Sequence, residues 1–258
     1  MSAERVTLET SEDAVLGGRL RLRQPLRGHR VGHDAILLAA FTDAQAGQHA
    51  VDFGAGVGGA GLALARRIAG LQATLVEIDP VLAALAGQNA ALNGLAERVN
   101  AVAADVADAP GLTAAGLAAE SVDCVLMNPP FNDPRRQNVS PDPRRRLAHV
   151  ADPDLLGRWV ESAARLLKPE GRLTLIWRAE GLPGVLEVLA PVFGAVSVLP
   201  VYPRPGAAAI RVLVRAVKGE SAGHQNHAGL VLNGSDGRPT VAAENILRGG
   251  EALGPARF

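Results

Sequence analysis

Of 258 residues only one, Cys124, is a cysteine, so no internal disulfide can brace the chain. It stands inside the apolar run Val122 to Met127, where a cysteine behaves as a small buried strand residue. Although 48% of the chain is apolar, no stretch approaches the roughly 20 uncharged apolar residues that a membrane-spanning helix needs. No membrane partner is expected. The start, Met1-Ser2-Ala3-Glu4-Arg5, lacks a basic region followed by an apolar run, so no secretory leader is visible and a cytoplasmic location is expected. Net charge is missing too, since 26 basic residues balance 26 acidic ones. A polyanionic partner would have to be met by a local patch and not by a global field.

Lysine is scarce as well, 2 residues against 24 arginines, and the arginines are unevenly placed. Arg19, Arg21, Arg23, Arg27 and Arg30 fall in a stretch without an acid from Ala14 to His33. Arg135, Arg136, Arg144, Arg145 and Arg146 crowd a second stretch, offset only by Asp133 and Asp142. A composition rich in Ala, Gly and Arg can reflect a G·C-rich coding sequence, but that accounts for the identity of these residues and not for their clustering. Clustered guanidinium groups suit phosphate contact, so both stretches are candidate RNA-binding segments, the second above all.

From His49 onward short β-rich runs alternate with helical ones. Strands are expected to end near Phe53 and to cover Ala73 to Ile78, Val99 to Ala103, Val122 to Met127 and Leu173 to Trp177. Helices are expected at about Gly58 to Ala69, Pro80 to Asn93 and Asp154 to Leu167, with Lys168-Pro169-Glu170-Gly171 as a helix stop and turn. Such alternation means parallel strands with crossover helices, hence an α/β, doubly wound sheet. Val196 to Val201 and Ile210 to Val217, joined by a Pro/Gly-rich turn, read as an antiparallel edge hairpin. Two appendages flank the core of residues 49–218. Residues 1–48 are expected to hold a hairpin around Gly17-Gly18, with Leu20 and Leu22 on one strand face and Arg19, Arg21 and Arg23 on the other, and a lid helix from Ala35 to Phe41 that Asp34 caps. Residues 219–258 hold a polar linker, an apolar Leu230-Val231-Leu232, a Ser235-Asp236-Gly237 turn and a short helix near Ala242 to Leu247.

The chemistry is concentrated at strand ends. Val51-Asp52-Phe53-Gly54-Ala55-Gly56-Val57-Gly58 follows a strand and opens a helix, the context that gives a glycine-rich loop meaning. Gly54 and Gly56 let the backbone approach a ligand where open α/β sheets bind one. Asp52 adds a carboxylate that suits an ammonium group and argues against a pyrophosphate. The next strand ends Val76-Glu77-Ile78-Asp79, where an acid can accept both hydroxyls of a ribose; Asp79 before Pro80 reads as a helix N-cap. The third ends Ala104-Asp105-Val106, placing an acceptor and an apolar wall for an adenine. The fourth runs into Asn128-Pro129-Pro130-Phe131. Neither proline donates a hydrogen bond, so the corner only accepts: Asn128 and the Pro129 carbonyl can grip the two hydrogens of an exocyclic amino group while Phe131 stacks on its ring.

With these motifs the chain resembles the class I S-adenosylmethionine-dependent methyltransferases over nearly the whole length from Asp52 to about Val217. The resemblance implies a seven-stranded Rossmann-like methyltransferase sheet. It also implies S-adenosyl-L-methionine as cofactor, with Asp52-Phe53-Gly54-Ala55-Gly56 on its methionine part, Glu77 on the ribose and Asp105 on the adenine, and with Ile78, Val106 and Asn128 also lining its site. No metal is implied. The Asn-Pro-Pro-Phe corner marks the members that methylate planar nitrogens, with Asn128, Pro129 and Phe131 serving the acceptor. Gly17 to Pro25 and Val31 to Leu38 are similar to the amino terminus of the bacterial family that methylates an adenine amino group beside the anticodon of a valine tRNA. That family often has Thr before the aspartate matching Asp34, and His33 departs from it. The expected activity is therefore methylation of an adenine exocyclic amino group in tRNA. The alternatives are a glutamine N-methyltransferase acting on a protein, a small-molecule O-methyltransferase, as some similar chains are labelled, or a noncatalytic RNA-binding module. No pattern in the residues speaks to the oligomeric state.

Overall fold

The computed structural model describes residues 8–28, 30–130, 154–221 and 223–254. In chain order, an antiparallel hairpin comes first, β1 (Thr10–Val15) and β2 (Leu20–Pro25), joined by a 3-10 turn Leu16–Gly18. There follow α1 (His33–Phe41), β3 (His49–Phe53), α2 (Gly59–Arg67), β4 (Gln72–Glu77), α3 (Pro80–Leu92), β5 (Val99–Ala103), α4 (Ala109–Ala114) and β6 (Val122–Met127). Then come α5 (Leu155–Leu166), β7 (Leu167–Arg178), a 3-10 turn Ala179–Gly181, α6 (Leu182–Leu189), β8 (Phe193–Tyr202) and β9 (Arg211–Lys218). The last elements are β10 (Gln225–Asn226), β11 (Leu230–Val231) and α7 (Val241–Leu247). Among these residues no helix is long and apolar enough to cross a membrane.

Seven long strands form the central sheet in the order β8-β9-β7-β6-β3-β4-β5, and two-residue β10 and β11 extend it alongside β8. All neighbours among β5, β4, β3, β6 and β7 are parallel, whereas β9 runs antiparallel between β7 and β8. The strands are apolar on both faces because helices cover both. Leu20 and Leu22 of the hairpin, α1, α2, α3 and Ile246 of α7 close one core. Leu112 of α4, Trp159 and Val160 of α5, and Val185 and Leu189 of α6 close the other. The doubly wound α/β sheet expected from the alternation is present, and its edge hairpin places β9 inside and β8 outside.

Several local expectations need correction. Asp34 does not cap the first core helix. That helix already begins at His33, with Gly32 at its N-cap, and Asp34 sits in the first turn paired to Arg211 at 2.9 Å. Lys168 to Gly171 does turn, but as a loop pushed out of β7: Leu167 pairs with Val122 and Arg172 with Cys124, and Glu170 takes φ +61°. The helices α4 and α6 lie where no periodic pattern was read. The two appendages also meet, since Leu253 donates to the Ala40 carbonyl at 2.8 Å and Arg19 donates to the Gly249 carbonyl.

Helices α1 and α2 both end without a glycine, and arginines from elsewhere satisfy their last carbonyls. Arg67 donates to the carbonyls of Ala39 and Thr42 at 2.9 and 2.7 Å. Arg98 donates to those of Ala65, Ile68 and Leu71 at 2.6, 3.3 and 3.1 Å. Arg98→Met keeps the aliphatic stem but removes a donor from three carbonyls, of which Ile68 alone retains the Leu71 N–H at 3.3 Å, so urea denaturation should show a loss of about 2 kcal/mol. An unchanged midpoint would mean that water replaces the guanidinium without cost.

Candidate functional site

The strand order reverses between β3 and β6. From β3 the chain winds outward through β4 and β5, and from β6 through β7, so the crossovers diverge and leave a crevice at the carboxyl ends of that central pair. Phe53 pairs with Met127. The next residues are Gly54 and Asn128, so one register row sets the glycine loop beside the proline corner. Glu77 ends the neighbouring strand, and Ala104-Asp105 follows β5 one strand further out.

The loop from Gly54 to Gly58 is built on left-handed backbone: φ is +66° at Gly54, +57° at Gly56 and +93° at Gly58. A Cβ at Gly54 would meet the Trp159 ring at 2.6 Å, and one at Gly56 would meet nothing within 4 Å. Gly54 is thus required by a neighbour as well as by its φ, while Gly56 turns toward open space. Ala55 donates to the Val76 carbonyl at 3.0 Å.

Asp52 is buried, and its Oδ2 accepts from the Gly61 N–H at 2.7 Å in the first turn of α2. It does for that turn what the side chain of Gly58, the N-cap, cannot. Burial pushes its carboxyl up to about 7; the Gly61 hydrogen bond opposes this and the nearby Glu77 charge adds to it. Among the described residues no basic side chain is paired with it. Glu77, also buried, accepts from the Gly56 N–H at 2.8 Å and from the Asp79 N–H at 3.0 Å, one bond to each oxygen. A carboxylate oxygen accepts two hydrogen bonds, so each retains acceptor capacity. Asp79 caps α3, accepting from the Val81 N–H at 2.8 Å, as its place before Pro80 implied.

Ile78 is 55% exposed beside Glu77, an apolar wall on the crevice edge. Asp105 is exposed and accepts from the Ala107 N–H at 2.8 Å, while Val106 is buried. Asn128 is half-buried and Pro129 buried. Phe131, Arg135, Arg136, Arg144, Arg145 and Arg146 lie outside the described residues. Buried Cys124, its thiol pushed up to about 12 chiefly by burial, is a core strand residue.

Three sets of contacts, two at this site and one on the amino-terminal hairpin, were not legible in the sequence. Trp159 packs edge-on against Phe53, centroids 6.2 Å apart, and covers Gly54. Its place on the apolar stripe Trp159, Val160, Ala163, Leu166 was legible, but its partner was not. Val31 packs on Gly59 at the start of α2, held there by its N–H bond to Gln24 at 2.7 Å. The third is the pairing of the amino-terminal arginines with acids of β1: Arg21 with Glu12, Arg23 with Glu12 at 3.8 Å, and Arg30 with Asp13. The acid-free stretch is acid-free only along the chain.

A family model described as "Methyltransferase small domain" matches residues 31–201. The chain belongs to that family. It is a methyltransferase by family, and S-adenosyl-L-methionine is the cofactor that its resemblance implies. Curated relatives include a tRNA1(Val) (adenine(37)-N6)-methyltransferase of Porphyromonas gingivalis, 33% identical over 151 residues, or 57% of this chain and 58% of that protein. A protein of the same name from Tolumonas auensis is 31% identical over 153 residues, covering 58% of this chain and 60% of its own length. The match thus spans less than two thirds of either relative. A solved structure of a predicted O-methyltransferase from Agrobacterium tumefaciens is 28% identical with a TM-score of 0.71, covering 85% of this chain and 97% of its own.

The donor set fits the cofactor at its charged end, because Asp52 is a buried carboxylate whose burial an adjacent cation would offset. Its raised pKa also sets a pH dependence in the cofactor-free protein. A folded-state pKa above the unfolded value contributes stability that is complete below about pH 4 and lost as pH rises through about 7. Asp52→Asn should remove that slope. Unfolding free energies from urea titrations at pH 5 and pH 8 should differ by on the order of 3 kcal/mol less in the variant than in the parent, and equal differences would contradict the burial argument.

Proposed function

We propose that this methyltransferase transfers the methyl group to the exocyclic amino nitrogen of an adenine in tRNA. The observation that carries the reading is the juxtaposition of Asn128-Pro129 with the glycine loop across the β3–β6 pair. On this reading Asp52 takes the cofactor's ammonium, Gly54, Ala55 and Gly56 pass along its methionine part, Glu77 takes the ribose hydroxyls beside Ile78, and Asp105 and Val106 receive the adenine. When bound, the cofactor supplies an electrophilic methyl group on a sulfonium. The names of the relatives, 27–34% identical, favour an adenine amino group in tRNA.

An aromatic amine is a weak nucleophile because its lone pair is shared with the ring. Asn128 Oδ1 and the Pro129 carbonyl, accepting its two N–H groups, favour the pyramidal nitrogen and stabilise positive charge as it grows. Once methylated, the nitrogen would lose its extra proton to solvent. No dedicated base is required. A base within a folded loop must swing out to reach the corner, with Phe131 as its stacking surface.

Separate variants test the two halves of the site. Glu77→Ala should weaken S-adenosylhomocysteine binding by more than about tenfold, as loss of two hydrogen bonds to a charged acceptor implies. Asn128→Ala should abolish turnover with that affinity within a few-fold of the parent. Parallel loss of affinity and turnover in Asn128→Ala would make the corner a cofactor wall. The similarity to a predicted O-methyltransferase carries a second reading, a small-molecule hydroxyl acceptor. Mass spectrometry of nucleosides from a deletion strain decides between them: loss of N6-methyladenosine from tRNA supports nitrogen, and an unchanged profile supports the alternative.

The RNA would be held by Arg135, Arg136, Arg144, Arg145 and Arg146. Neutralising Arg144, Arg145 and Arg146 together should flatten the log–log salt dependence of tRNA binding by about two to three, at roughly 0.7 to 0.9 per phosphate contact. An unchanged slope would move the acceptor site elsewhere.

A further inference from the structure

Asn89, on α3, is fully buried, and nothing in the strand-end motifs involves it. Its Oδ1 accepts from the Arg23 N–H at 2.8 Å, and its Nδ2 donates to the Arg23 carbonyl at 3.0 Å. That pair of bonds takes the place of a neighbouring strand along the free edge of β2. The same Nδ2 also donates to the Val57 carbonyl at 3.0 Å, inside the glycine loop. Both amide hydrogens are consumed, one on each segment.

One helical turn on, Asn93 makes the same clamp without the loop contact. It accepts from the Arg21 N–H at 2.9 Å and donates to the Arg21 carbonyl at 2.7 Å, its other bond going to the Asn89 carbonyl at 2.7 Å. Four helix residues rise about 6 Å and two strand residues about 6.6 Å, so the two amides keep step with alternate residues of β2.

The loop needs such a hold. Glycines at Gly56 and Gly58 give the left-handed backbone at no steric cost, but they also give the loop many other conformations to visit. Four bonds narrow that choice: Ala55 N–H to the Val76 carbonyl at 3.0 Å, Gly56 N–H to Glu77, Gly58 N–H to the Ala55 carbonyl at 2.8 Å, and Asn89 Nδ2–H to the Val57 carbonyl. A ligand that requires one loop conformation binds more weakly in proportion to the time the loop spends outside it.

We propose that Asn89 is a positioning residue for the methyl donor, setting the glycine loop through Val57 and tying it to the docked β2 strand. The inference rests on the reading that this loop holds S-adenosylmethionine.

Asn93 provides the control, since it caps the same helix and clamps the same strand by the same chemistry but does not touch the loop. Full-length Asn89→Ala and Asn93→Ala are each titrated with S-adenosylhomocysteine by calorimetry and melted without ligand. Both should lower the melting midpoint. Only Asn89→Ala should lose affinity, by roughly tenfold if the loop is competent about a tenth of the time, while Asn93→Ala stays within twofold of the parent. Equal losses in the two variants, or none in either, overturn the proposal.

Should Asn89→Ala fail to fold, Asn89→Asp replaces it, with Asn93→Asp as its control and the same criteria. The aspartate keeps the acceptor for Arg23 N–H and sets an oxygen against the Val57 carbonyl. Glu77→Ala separates the two levels of the argument. Unchanged affinity in that variant removes the loop as the cofactor site, whereas weak binding there with normal binding in Asn89→Ala removes only the role of Asn89.

Discussion

The parallel register of β3 on β6, with Phe53 opposite Met127, is the constraint on which the site depends. Both strands end on one row, and the chain beyond them leaves for opposite faces of the sheet, through α2 on one side and α5 on the other. Alternation along β3 then sends Asp52 to the α2 face and Phe53 to the Trp159 face. A slip of one residue would exchange those faces, pulling the carboxylate from the first turn of α2 and burying it among Trp159, Val125 and Leu175. Such a slip is excluded by the surrounding apolar packing, in which Val51, Phe53, Val125 and Met127 are all buried. The core therefore holds the geometry of the crevice as a by-product of choosing its own register.

The surplus of arginine over lysine has a structural side that composition alone does not reveal. A guanidinium is a planar fork that can bridge several carbonyls, which a single ammonium does less well. Arg67 and Arg98 use that fork on the ends of α1 and α2, and Arg215 lies 5.0 Å from the centre of the Phe41 ring. At the amino-terminal hairpin the guanidinium groups meet Glu12 and Asp13, so phosphate binding there would compete with existing ion pairs. Arginine count is a weak guide to RNA contact in such a chain.

What could be read from the sequence was set by periodicity and by breakers. Val99 to Ala103 and Val122 to Met127 matched the observed strands at both ends because turn residues bound each run sharply. Pro80 after Asp79 fixed the start of α3 by the same local logic. Local logic failed at Asp34, whose first-turn carboxylate is held 177 residues away by Arg211. It failed also at Asn89 and Asn93, which look like ordinary polar helix residues until β2 is laid against them. The strand-end acids were legible as a set; the Gly61 and Gly56 N–H groups that reach Asp52 and Glu77 from other segments were not.

Those partners distinguish the two buried carboxylates. Glu77 receives two backbone N–H groups, a neutral hydrogen-bonded setting with room to accept hydroxyls. Asp52 receives one, and its burial outweighs that bond enough to raise its pKa to about 7. A positive ligand group beside Asp52 would lower that pKa and restore the charge, whereas a phosphate would face a carboxylate or force it to stay protonated. On the proposed reading the crevice thus selects against dinucleotides before any shape is tested. A glycine-rich loop at a switch point is common to both kinds of ligand, and the charge of one strand residue decides which kind it serves.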